Sequence, residues 1–186
     1  MESSRDVFVV AASCAADPAE ALRQAIKESG VNPARMQDLI FGMDRPALMR
    51  NPDELAREIL VNCPVVMISS SIRAIFFAAQ SILCEDTDLI LVGGGENGQS
   101  AALLLASPAS VGIYNLTPLA RLDARSLTGV EHVLKKAGLA IEDVQVKLDG
   151  ICGVLVTVQV IEQLQEQKVA WGLASVGKPA VLIERI

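Results

Sequence analysis

Apolar residues come in short blocks along this chain, and polar residues between the blocks carry the start and stop signals of helices. The run DVFVVAA, Asp6–Ala12, is too short for a helix and predicts a buried first strand. At DPAEALRQAIKESG the spacing changes to helical, with Leu22, Ala25, Ile26 and Ser29 on one face. Asp17 caps this helix, Pro18 takes its first position, Glu20 completes a capping-box pattern and Gly30 stops it. DLIFG, Asp38–Gly42, is a short strand, and NPDELAREIL repeats the start signal with Asn51, Pro52 and Glu54. The stretch VVMISSSIRAIFFAAQSI, Val65–Ile82, reads as a strand, a tight serine turn and an apolar helix. DLILVGGGENG is a strand running into glycines, and SAALLLAS is another strand.

The order then begins again. PLARLDA predicts a strand, and TGVEHVLKKAG a helix with a Thr128/Glu131 capping box and a Gly138 stop. EDVQVKLD is a strand and ICGVLVTVQVIEQLQEQ a helix, apolar early and polar late. VAWGLAS and PAVLIER are two closing strands. ALRQAIKESGVNPARMQDL and GVEHVLKKAGLAIEDVQ share a layout of helix, glycine, short loop, acidic residue and strand, which points to two related halves. The seam falls in SPASVGIYNLTP, Ser107–Pro118, dividing the chain into residues 1–112 and a shorter second half, 113–186.

Composition narrows the class. Hydrophobic residues make up 51% of the 186 residues and aromatics only 3%, so the core is aliphatic and its strands are doubly buried, as in an α/β protein. The net charge of −6 and the absence of a Lys/Arg cluster argue against a nucleic-acid partner. Arg73 splits the longest apolar stretch, so no membrane span is expected. The first residues include Glu2 and Asp6 and lack the basic start of a secretory leader. The four cysteines, Cys14, Cys63, Cys84 and Cys152, form no CxxC pair, and His132 is the single histidine. No metal site is expected; the cysteines read as small core residues in a reducing, cytoplasmic compartment.

Three motifs bear on chemistry. Gly93, Gly95 and Gly98 satisfy the GxGxxG spacing after a strand, but a second strand follows where a dinucleotide site needs a helix. A hairpin turn needing positive φ accounts for them more simply. Ser69, Ser70 and Ser71 sit where a nucleophile turn would place them, at the start of a helix. No base is in register with them, since His132 belongs to a helix of the second half, and helix capping is the simpler role. No pair of carboxylates demands acid–base work.

Taken together, SSSIRAIFFAAQSILCEDTDLILVGGGENGQS resembles the nucleophile region of thiolases, the acetyl-CoA acetyltransferase family. Ala78-Ala79-Gln80 matches the family's Ala-rich helix, and Gly93-Gly94-Gly95-Glu96-Asn97 matches its GGMENMS-like turn. DVFVVAA, IKESGVNPARMQDLIFG, GICGVLVTVQVIEQL and WGLASVGKPAVLIER are similar to further segments of the family, so the likeness spans nearly the whole chain. It implies an α/β thiolase-like fold: two related βαβ-type halves, mixed sheets, and helices layered between and outside them.

The departures from the family decide what the likeness implies for function. Counting back from AAQSI, the family's nucleophilic cysteine falls at Ile68, which cannot form a thioester. The NEAF segment is absent, VKLDG stands in place of the GHP histidine with Lys147 nearest in count, and the CIGGGQG turn is shortened to Val176-Gly177-Lys178-Pro179. Only a turn joins LILVGGGENG to AALLLAS, where the family inserts the loop domain that covers coenzyme A. The resemblance therefore implies a truncated, degenerate member without catalytic residues or cofactor, acting as a structural or regulatory partner. The alternative is an acyl-CoA binder or residual acetyltransferase, with Ser69, Ser70, Ser71, Arg73 and Lys147 holding a coenzyme A thioester; as plain residues, Arg73 and Lys147 are surface charges. The family pairs subunits through the strand before the nucleophile turn. That strand is the apolar PVVMI here, so a homodimer or a heterodimer with a thiolase-like subunit is expected.

Overall fold

The structure, a computed structural model, describes residues 6–43, 51–96, 98–123 and 129–186. The elements follow in the order β1 (Val7–Ala15), α1 (Pro18–Ser29), β2 (Asp38–Gly42), α2 (Pro52–Glu58), β3 (Val65–Ile68), α3 (Ser71–Leu83), β4 (Leu89–Glu96), β5 (Gln99–Ala106) and α4 (Pro108–Tyr114). They continue with β6 (Ala120–Asp123), α5 (Val130–Ala137), β7 (Val146–Asp149), α6 (Gly153–Gln167), β8 (Trp171–Ser175) and β9 (Ala180–Arg185).

The start and stop signals act as the sequence predicts in most places. The Asp17 side chain accepts hydrogen bonds from the backbone N–H groups of Ala19 and Glu20, and Gly30 closes α1 in the left-handed region at φ 71°. Asn51 caps α2 through the N–H of Asp53. Thr128 lies outside the described residues, and α5 starts from Gly129 without a side-chain cap. One helix goes beyond the sequence reading: Pro108–Tyr114 is α4, with the Ser107 hydroxyl accepting from the Ser110 N–H. Ser-Pro before an apolar stretch is a helix start, and the seam reading passed over it.

The nine strands of the described residues join one sheet in the order β3-β2-β4-β5-β1-β6-β9-β8-β7. β2 is parallel to both β3 and β4, β7 is parallel to β8, and the remaining neighbours are antiparallel. The order β2-β4-β5-β1 is mirrored by β7-β8-β9-β6, and the two series meet where β1 pairs with β6. β3 and α2 have no counterpart in the later series, because β7 passes into α6 through Gly150–Cys152. A shared detail marks the mirror. Gln37 accepts from the N–H groups of Asp88 and Leu89 at the start of β4, and Gln145 accepts from the N–H of Trp171 at the start of β8. Each glutamine sits one residue before a parallel strand and ties it to its neighbour.

α3 and α6 pack side by side, and α6 touches β1, β4 and β5 as well as β7, β8 and β9. The two helices are therefore the central layer, enclosed by both arms of the sheet, and their cluster holds Ile72, Ile75, Val154 and Val158 with strand residues of both arms. On the outer faces, α1 and α2 cover Leu39, Phe41, Leu91 and Leu104, and α5 covers Leu173 and Leu182. β1 serves both faces through a bulge between Val9 and Ala11, where the register against β5 shifts by one residue. Before the bulge Val7 and Val9 face the central helices; after it Ala12 does.

Two expectations are corrected here. Gly93, Gly94 and Gly95 lie within β4, not in a turn, and only Gly98 of the GxGxxG set has a positive φ. Their role is close packing, since a Cβ on Gly93 would strike the Phe41 ring and one on Gly94 would press on Ser71 and Val154. Of the four cysteines only Cys152 is a buried core residue; Cys63 is half-buried, and Cys14 and Cys84 are exposed.

Candidate functional site

The strand–turn–helix at Val65–Ile82 places Ile68 at the carboxyl end of β3, half-buried, with its carbonyl accepting from the Met43 N–H. Ser69 is exposed in the turn. Ser70 occupies the N-cap position of α3, but its side chain makes no capping hydrogen bond. Capping is therefore not what the serines do. Ser71 is fully buried, and its hydroxyl oxygen accepts a 2.6 Å hydrogen bond from the backbone N–H of Gly153, the first residue of α6.

That bond joins two helix N-termini. Glycines make the approach possible: a Cβ on Gly153 would collide with the backbone of Ile72, and one on Gly42 would lie 2.8 Å from the Ser71 nitrogen. Neither N-cap side chain of α3 or α6 makes a capping hydrogen bond, and the positive ends of both helix dipoles meet at one corner of the molecule. Such a corner favours an anion or a developing oxyanion.

The residue that sequence reasoning passed over is Cys152. It is the N-cap of α6, is 3% exposed, and adjoins the Ser71–Gly153 contact. The sequence signal is GICG at the head of an apolar helix, one thiol between two glycines. Two of the other thiols lie elsewhere. Cys63 is at the far end of β3 and Cys84 at the carboxyl end of α3, away from the turn. Burial, with Glu162 and Cys152 nearby, pushes the Cys14 thiol up to about 11, and burial beside Asp38 does the same for Cys63.

Arg73 lies in the first turn of α3 and Lys147 within β7; both are exposed, and no described residue forms an ion pair with either. His132 is an exposed residue of α5, away from the corner. Among the described residues no group of His, Cys, Asp or Glu could hold a metal ion. None of the described helices is long and apolar enough to cross a membrane. β4 and β5 are joined by a hairpin in which Glu96 pairs with Gln99.

Comparison with known proteins decides the architecture. No protein-family profile matches the chain, and no curated protein matches it in sequence. The crystal structure of human mitochondrial 3-ketoacyl-CoA thiolase in complex with CoA superimposes with a TM-score of 0.81 at 13% identity, covering 98% of each chain. A second crystal structure of the human mitochondrial enzyme gives a TM-score of 0.80 at 12% identity, covering 98% of this chain and 99% of that one.

The fold is that of a thiolase.

The enclosed pair of helices, the mirrored strand order and the serine turn thus all belong to a thiolase fold. Since nearly the whole of each human chain is covered, the likeness lends no support to the expected truncation. At these identities the likeness extends to the architecture, and function has to be argued from side chains.

Proposed function

We propose that this chain is a thiolase-like protein without catalytic residues or cofactor, serving as a structural or regulatory partner in the cytoplasm. The observation that carries this reading is Ile68 at the end of β3. In the resemblance drawn from the sequence this is the nucleophile's place. A hydrocarbon side chain there has no lone pair to attack a thioester, and covalent catalysis needs both a nucleophile and a base in reach. His132 lies on α5 and cannot serve Ile68, Ser69 or Ser70 as that base.

The partner reading rests on the two sheet edges, which differ in chemistry. β7 carries Lys147 and Asp149, charges of the kind that discourage edge-to-edge pairing. β3, Val65-Val66-Met67-Ile68, carries none. Within it Val66 is 46% exposed, and Phe77 on the following helix α3 is 50% exposed. An uncharged edge flanked by exposed apolar side chains favours strand pairing with a second copy of this chain or with a thiolase-like subunit.

A second reading keeps acyl-CoA binding, or a residual acetyltransferase activity. It is favoured by the corner where α3 and α6 meet, with Cys152 at one helix N-terminus and Arg73 on the first turn of the other.

Calorimetric titration with acetyl-CoA and free CoA, followed by a thiolysis assay on the same sample, separates the readings. No binding and no turnover are expected. Binding without turnover would establish a sensor or carrier, and turnover abolished by Cys152→Ser would establish an enzyme.

A further inference from the structure

We propose that a pocket on the outer face of the sheet, separated by the sheet from the α3–α6 corner, binds a small molecule with a benzene-sized apolar body and one hydrogen-bonding head. The pocket has a volume of about 180 Å³. Its apolar walls include Phe41 and Met43 from the end of β2, Leu55 of α2 and Met67 of β3. Its polar wall is the β4–β5 hairpin, including Glu96 and Ser100.

Four features make this a built site. Its position is the first. The pocket lies at the carboxyl ends of the parallel strands β2, β3 and β4, the end at which ligands collect in α/β sheets. Its size is the second. A cavity of about 150 Å³ lined by aliphatic and aromatic side chains takes up benzene, so this volume accepts a body of that size plus a polar atom. The third is the adaptability of the wall, where Met43 and Met67 face one space and thioether side chains reshape around different contents.

Ser100 is the fourth. It is 3% exposed and lines the pocket, and no described residue hydrogen-bonds its hydroxyl. The hydroxyl lines the pocket, where a ligand head can supply the hydrogen bond that no described residue makes. Gly95 keeps the space open, because a Cβ there would come 2.7 Å from the Ser100 oxygen. A hydroxyl both donates and accepts, so a neutral alcohol head suits it.

The site is distinct from the α3–α6 corner. Met67 packs with the outer cluster, whereas Ile68, one residue on, packs with the central one. A ligand here is independent of the fate of the nucleophile position.

The test is titration of the 15N-labelled protein with benzyl alcohol and, separately, toluene. Saturable amide shifts are expected for Phe41, Gly95 and Ser100 with both probes, and none for Ser71 or Gly153. Ser100→Ala should weaken benzyl alcohol roughly three- to tenfold, the worth of one hydrogen bond, and leave toluene unchanged. Met67→Trp should fill the space and remove the shifts for both. Non-saturable shifts with the wild-type protein, shifts centred on Ser71 and Gly153, or binding that survives Met67→Trp in a folded protein would each overturn the proposal. Equal weakening of both probes by Ser100→Ala would overturn the assignment of the head group.

Discussion

The hydroxyl of Ser71 accepts its 2.6 Å hydrogen bond from the N–H of Gly153 across 82 residues of sequence, and it fixes the two central helices end to end. Without it a buried backbone donor has no acceptor, a loss of about 1–3 kcal/mol. Ser71→Ala should lower the unfolding free energy by that amount in urea denaturation. Gly153→Ala should cost more, because its Cβ would meet the Ile72 backbone, which cannot move aside without shifting α3. The two losses should not add in the double variant, since both act on one contact.

Ile68→Cys restores a thiol at the end of β3. The site is half-buried, so the variant should fold with a loss of about 1 kcal/mol. Its thiol should react with a disulfide reagent, yet the variant should show no thiolysis of acetoacetyl-CoA, because the single histidine, His132, lies on α5. Measurable turnover would sink the non-catalytic reading.

Val66→Lys places a charge on the uncharged sheet edge. If β3 is the pairing strand, light scattering at micromolar concentration should show a dimer for the parent protein and a monomer for the variant. Lys147→Arg keeps the charge on the opposite edge and should leave the parent's assembly unchanged. A monomeric parent with no co-purifying partner would end the pairing hypothesis.

The thiols of Cys14 and Cys63 have a pH signature. Burial pushes both from an ordinary 9.0 up to about 11, so the folded protein holds these protons longer than the unfolded chain. Below pH 9 neither state ionises them and stability is unaffected. Between pH 9 and 11 the unfolded chain releases protons that the folded chain keeps, so stability should fall as pH rises through that interval. At pH 8 the thiolate fraction is lower by the same two pH units, and alkylation of either residue by iodoacetamide should be roughly 100-fold slower than in urea. Mass spectrometry of peptides after timed quenching measures both rates.

The sequence reading was accurate where short-range rules decide. Pro at the first helical position with Asp or Asn before it set the starts of α1 and α2, and β2 and β3 stand where their apolar runs are. It was incomplete where the same residue types serve distant partners. Ser71 looked like a capping residue because Ser at a helix start usually caps, but its hydroxyl meets α6 instead. Gly93 and Gly94 looked like a turn because consecutive glycines usually turn, but Phe41, Ser71 and Val154 need the room. Cys152 read as core filler, and its place beside the Ser71–Gly153 contact became visible only once α3 and α6 were brought together.

By itself, then, the sequence determined the kinds of elements, their order and the aliphatic core, because caps, φ preferences and side-chain periodicity act over a few residues. It also determined that Ile68 ends the strand before the serine turn, and an isoleucine is unreactive in any fold. The tertiary structure decided the rest: one sheet bent around two helices, the Ser71–Gly153 joint, and the pocket over Met67. These depend on which distant surfaces fit together, and fit is a property of packed shapes that no local pattern along the chain encodes.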